Sequence, residues 1–130
     1  MRWILSTMAL LLISASAANA QLWGPTWSEV SGYQYHKAIL DRRPAIIKSV
    51  DGLSYTVPIV KIDPGPRTIV VQSYRRTGFQ GSDATMQLNI EPCKRYYLNA
   101  QFESSVGPTW KPVVDYVEGI AGCKVDTARN

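Results

Sequence analysis

Histidine occurs once in the 130 residues and cysteine twice. No G-x-S-x-G elbow, H-E-x-x-H helix motif, EF-hand loop or phosphate-binding glycine loop is present. His36 is therefore the sole imidazole for acid–base work near neutral pH. A hydrolytic triad would have to recruit a serine and an orienting carboxylate from distant positions. Between Tyr35 and Lys37, His36 reads instead as a surface or strand-edge residue. The carboxylates offer no stronger chemistry. Asp51 and Asp63 sit in turn motifs, where such side chains bond nearby backbone. Asp115 and Glu118 have the spacing of one helical face and are expected to be solvated. A glycosidase-like pair could be assembled from any scattered acids, which gives it no weight. The chain is not expected to be an enzyme, and neither a metal nor a cofactor is expected.

Charge of one sign is also scarce. The 14 Lys and Arg against 10 Asp and Glu leave a formal charge of +4. The basic residues are scattered, with Arg42-Arg43, Arg75-Arg76 and Lys94-Arg95 the adjacent pairs. Nucleic-acid binding wants a concentrated basic face, so that partner is not expected. Beyond the first twenty residues no apolar run approaches a membrane span. Ile69–Val71 and Val113–Val117 are short.

The first twenty residues carry a secretory signal pattern: Arg2, the apolar run Ile4 to Ile13, then Ala18-Asn19-Ala20 before a mature start at Gln21. The run is about ten residues, too short to span a bilayer core that needs roughly twenty. The expected product is periplasmic or secreted. Removing 20 of 130 residues leaves 110, one domain, and loss of Arg2 lowers the charge from +4 to +3. Residues 21–36 are expected to be an extended N-terminal segment and 37–130 the folded domain. In an oxidising compartment the isolated pair Cys93 and Cys123 is most simply a disulfide. A metal site would need further ligands, and a redox pair would be spaced C-x-x-C.

Strand signals fill the rest. Ala45–Val50 is β-branched, and Asp51-Gly52 is a tight-turn pair. Tyr55–Val60 reads as the returning strand, with Pro58 marking an edge or bulge. Asp63-Pro64-Gly65-Pro66 is the firmest turn, and Thr68–Tyr74 the best strand. Met86, Leu88 and Ile90 alternate with Thr85, Gln87 and Asn89. Arg95–Phe102 should place Tyr96, Leu98, Ala100 and Phe102 on one face. Trp110–Tyr116 is a last strand, and Val117–Ala121 could close as a helical turn. Short strands at this spacing, with no long amphipathic helix, predict an all-β fold: a single antiparallel β-sandwich or small barrel.

The Val-Asp-Gly turn at 50–52, the Ile-Asp-Pro-Gly-Pro-Arg turn at 62–67, Glu91-Pro92-Cys93 and Arg95-Tyr96-Tyr97-Leu98 carry a resemblance. Over about half of the mature chain the sequence resembles small secreted bacterial β-sandwich domains of uncharacterised function, transthyretin-like or immunoglobulin-like. The Pro-Gly turn is similar to that of PEGA-type surface-layer domains. The resemblance implies fold and location and carries over no catalytic residue. Cys93-Lys94-Arg95 stands where the pattern often has glycine, a departure that with Cys123 implies a disulfide-stabilised subfamily.

The loop after the best strand is the candidate partner-binding loop, with Tyr74, Arg75, Arg76 and Phe79 as its contact residues. Arginine and aromatic side chains are where interface energy concentrates. Phe79, near Gly78 and Gly81, would be exposed and mobile unless it packs back or meets a partner; the other reading is an ordinary hairpin loop whose arginines keep the edge soluble. Trp27 and Trp110 are alternatives as a sugar-stacking pair, with core anchoring the commoner role of such residues. The expected function is an extracytoplasmic binding or structural module of the cell envelope with an envelope protein as partner. The alternatives are an inhibitor or sensor of an envelope enzyme such as a cell-wall hydrolase, and a small hydrolase.

Overall fold

A computed structural model describes residues 26–124. The expected signal peptide, 1–20, lies outside the described residues. Eight strands follow in chain order: β1 Ser28–Ser31, β2 Arg42–Val50, β3 Leu53–Ser54, β4 Ile59–Ile62, β5 Gly65–Ser73, β6 Asp83–Ile90, β7 Lys94–Phe102 and β8 Trp110–Gly119. There is no helix among the described residues, and so none that could cross a membrane. The strands form one open, mixed sheet in the order β4-β1-β7-β2-β5-β6, with β3 on β2 and β8 on β7.

The expected pairing is antiparallel throughout, and one ladder departs from it. β1 runs parallel to β7, Val30 opposite Tyr96. β1 comes from the 21–36 stretch expected to be an extended lead-in, yet it lies inside the sheet with Val30 fully buried. Four residues are too few to show a period. Gly32 explains how β1 can leave the sheet beside β2: a Cβ there would lie 1.9 Å from the Ala45 carbonyl oxygen.

β2 carries the chain from one ladder to the next. Arg42–Pro44 pair with β7, and Ala45–Val50 pair with β5. A bulge at Lys48 breaks the alternation, so Ala45, Ile47 and Val50 all face inward. The Asp51-Gly52 turn has φ of 49° and 87°, the two left-handed residues that a tight hairpin of this kind requires. The returning strand is split. Leu53–Ser54 pair with β2, then the chain crosses and Ile59–Ile62 pair with β1, with the Pro58 carbonyl accepting from the Gly32 N–H.

The core is the inward set of β7 (Tyr96, Leu98, Ala100, Phe102) against Ile69 and Val71 of β5, Ile47 of β2, Val30 of β1 and Val60 of β4. β8 runs through Val117 to Gly119 as strand, so the helical turn expected there does not form. Cys93 and Cys123 are joined. The bond ties the start of β7 to the chain after β8. Cys93 has φ 61°, a backbone conformation that glycine adopts most readily.

Candidate functional site

The loop between β5 and β6 is built on a miniature turn. Arg76 and Phe79 exchange backbone hydrogen bonds of 2.9 and 2.7 Å, with Gly78 at φ 77° between them. Its base is closed by Ser73 N–H on the Ser82 carbonyl and Ser82 N–H on Ser73 Oγ. Phe79 is folded back, edge-on to Phe102 with ring centroids 6.1 Å apart. The Arg76 guanidinium lies 3.9 Å over the Phe102 ring and donates to the Ser104 carbonyl. Of the four residues singled out from sequence, Phe79 and Arg76 thus serve partly as structure. Tyr74 and Arg75 remain exposed.

Beside this turn is a concavity of about 340 Å³ lined by Arg43, Pro44, Tyr74, Arg75, Arg76 and Phe102. Three arginines line it and no carboxylate does. Strand alternation explains Arg43: its neighbour Arg42 points to the other face and is held there, while Arg43 is turned to the concavity. None of Arg43, Arg75 and Arg76 takes part in an ion pair among the described residues. Phe102, Pro44 and Tyr74 supply apolar surface. Guanidinium forks over such a floor match a carboxylate in two hydrogen bonds while an apolar neighbour packs below. Arg43 was visible in the sequence as part of an adjacent basic pair, but nothing there joined it to a loop thirty residues away.

A second constellation was hidden. Asp115 is the extra residue of a bulge in β8, since Tyr97 pairs with Tyr116 and Leu98 with Val114. Its side chain is fully buried, which corrects the expectation of a solvated carboxylate. Oδ2 accepts from the N–H groups of Tyr35 and His36 at 2.8 Å each, and Oδ1 from Arg42 Nη1 at 2.7 Å. Burial alone would push its carboxyl up. The His36 amide, the Arg42 guanidinium and the Tyr35 amide more than offset that and hold it below the usual carboxylate range.

The segment pinned by Asp115 carries half-exposed rings. Tyr35 stacks on Tyr116 at 3.9 Å and 13°, with His36 edge-on to both. Glu118 accepts from Tyr97 Oη and Arg95 Nη1, and Arg95 Nε donates to Glu29. The Tyr97 and Arg95 bonds hold Glu118 below the ordinary glutamate range against its desolvation. His36 does meet a carboxylate, 3.5 Å from Asp115 Oδ1. That carboxylate is already filled by Arg42 and two amides, and among the described residues no serine hydroxyl bonds to His36. The arrangement fixes the Tyr35–His36 loop.

Trp27 and Trp110 lie at opposite ends of β7: Cys93 N–H donates to the Trp27 carbonyl, and Trp110 pairs with Phe102. They form no joint platform. Lys61 lies 4.3 Å over the Trp27 ring, beside a groove of about 450 Å³ that also takes in Asp51, Asp63 and Arg67. Arg67 is paired there with Asp51, which leaves that groove with mixed charge. Among the described residues no three of His, Cys, Asp and Glu stand together as a metal site. No family model, no curated protein and no solved structure matches the chain.

Proposed function

We propose that this chain is an extracytoplasmic binding module of the cell envelope that captures an acidic segment of a partner protein in the Arg43–Arg75–Arg76 concavity. The carrying observation is three arginines lining one concavity together with Tyr74 and Phe102, with no carboxylate among the lining residues. A folded protein normally offsets neighbouring like charges with acids, as this one does for Arg42, Arg67 and Arg95. A basic concavity left without them favours an acidic ligand. The signal pattern at residues 1–20 supports the location. The passage of β2 from β7 to β5 supports a two-layered, sandwich-like arrangement of the sheet.

A loop inserted into the cleft of an enzyme is the weaker reading, because Phe79 is seated on Phe102 and the feature is concave. The test is fluorescence anisotropy with a labelled glutamate-rich peptide carrying one aromatic residue. Wild type should bind in a salt-sensitive way, and Arg43→Ala/Arg75→Ala should bind at least about tenfold more weakly. Both arginines are exposed, so the fold is expected to survive. Equal binding by that variant would sink the assignment of this site.

A further inference from the structure

At the other end of β2 from Arg43 lies the groove of about 450 Å³, which shares no lining residue with the arginine concavity. Clefts of this size that join aromatic surface to a few fixed polar groups are where small ligands bind. Much of the lining is held in place before any ligand arrives. The Trp27 carbonyl accepts from the Cys93 N–H at 2.9 Å, and Thr26 Oγ1 donates to the Lys124 carbonyl at 3.1 Å. The Arg67 guanidinium donates to the Asp63 carbonyl, the Pro64 carbonyl and Asp51 Oδ2. Asp51 Oδ1 accepts from the Thr68 N–H at 2.8 Å. That amide and Arg67 hold the Asp51 carboxyl below the usual carboxylate range. Lys61 and Asp63 differ from this closed pair. Both are exposed, two residues apart at the end of β4, and neither takes part in an ion pair among the described residues. Lys61 Nζ lies 4.3 Å from the centroid of the Trp27 ring.

We propose that this groove is a second binding site, which takes an uncharged oligosaccharide carrying N-acetyl groups. It does not depend on the arginine concavity. The lining disfavours the other classes of small ligand in turn. Its charges balance, Asp51 and Asp63 against Lys61 and Arg67, so an ion of either sign meets repulsion as well as attraction. An apolar ligand would cover charged groups and give them nothing to bond. A zwitterion would engage Lys61 and Asp63 and make no use of the Asp51–Arg67 pair, which is already closed. Sugar hydroxyls donate and accept at once, so they bond carboxylate, ammonium and guanidinium alike. The C–H faces of sugar rings are apolar and suit Trp27 and Tyr55, which both line the groove. Leu53 lines it too and is 66% exposed. It offers apolar surface for an acetyl methyl to cover.

The experiment is an amide NMR titration of the disulfide-bonded chain with tri-N-acetylchitotriose. Cellotriose, which has hydroxyls in place of the acetamido groups, is titrated in parallel. Wild type should bind chitotriose with a Kd below about 1 mM. The shifted signals should be the Trp27 indole and the amides around Asp51 and Asp63. Asp63→Ala should bind at least about tenfold more weakly, with its remaining spectrum unchanged. Leu53→Ser should lose the preference for chitotriose over cellotriose. Both side chains are exposed, so the fold is expected to survive each change. Wild type that binds neither sugar, or shifts that fall outside the groove, would overturn the proposal. So would Asp63→Ala binding as tightly as wild type. Equal binding of the two sugars by wild type would overturn the N-acetyl assignment.

Discussion

Asp115 shows how much a single side chain can organise. It spends a buried negative charge on two backbone N–H groups and one guanidinium, and so fixes the excursion between β1 and β2 on which Tyr35 and His36 sit. Removing one member of a buried pair leaves the other uncompensated. Asp115→Ala should lower stability by about 3 kcal/mol, read by urea unfolding. The pH dependence has a definite sign. The Asp115 carboxyl is held below its unfolded value, so its contribution is complete above the unfolded pKa. It fades as pH falls through the lower, folded value. Melting temperature should fall on acidification below about pH 4, and less steeply in Asp115→Asn than in wild type. Gly32 is a steric case. Gly32→Ala would force a methyl against the Ala45 carbonyl oxygen at 1.9 Å. It should cost at least about 2 kcal/mol by the same unfolding measurement.

At the level of elements, β7 was the most legible strand. Its alternation named Tyr96, Leu98, Ala100 and Phe102 as one face, and all four are buried. Leu98, fully buried at the middle of that face, should cost about 2–5 kcal/mol when replaced by alanine, measured by denaturant unfolding. β5, β6 and the Asp51-Gly52 turn were legible for similar reasons, since β-branched alternation and left-handed turn residues are local signals. Where pairing depends on residues far away, the sequence was silent. β1 is too short for a period, and its parallel neighbour follows by more than sixty residues. The split after Ser54 obeys no local rule, since Ile59–Ile62 choose β1 over β2. Asp115 and Glu118, spaced as on a helix, sit in a strand, and the bulge that buries Asp115 is a tertiary event. The disulfide could be inferred because two cysteines allow one pairing. Cys93→Ser/Cys123→Ser should lose roughly 3–4 kcal/mol, the loop-closure contribution for thirty residues, in a comparison of unfolding curves.

For the whole molecule, what matters is where charge is left uncompensated. Arg42, Arg67, Arg95 and Lys48 are each tied to a carboxylate. Arg43, Arg75 and Arg76 converge from β2 and the β5–β6 loop on one concavity with none in its lining. The sequence offered the loop half of that site and missed Arg43, because strand alternation and the β2 path bring it there. The most direct test is a crosslinking pull-down from the native cell envelope, with wild-type protein and folded Arg43→Ala/Arg75→Ala as parallel baits. The account predicts a protein captured by wild type and lost with the variant, crosslinked through an acidic segment. Capture of the same protein by both baits, or of nothing by either, would contradict it.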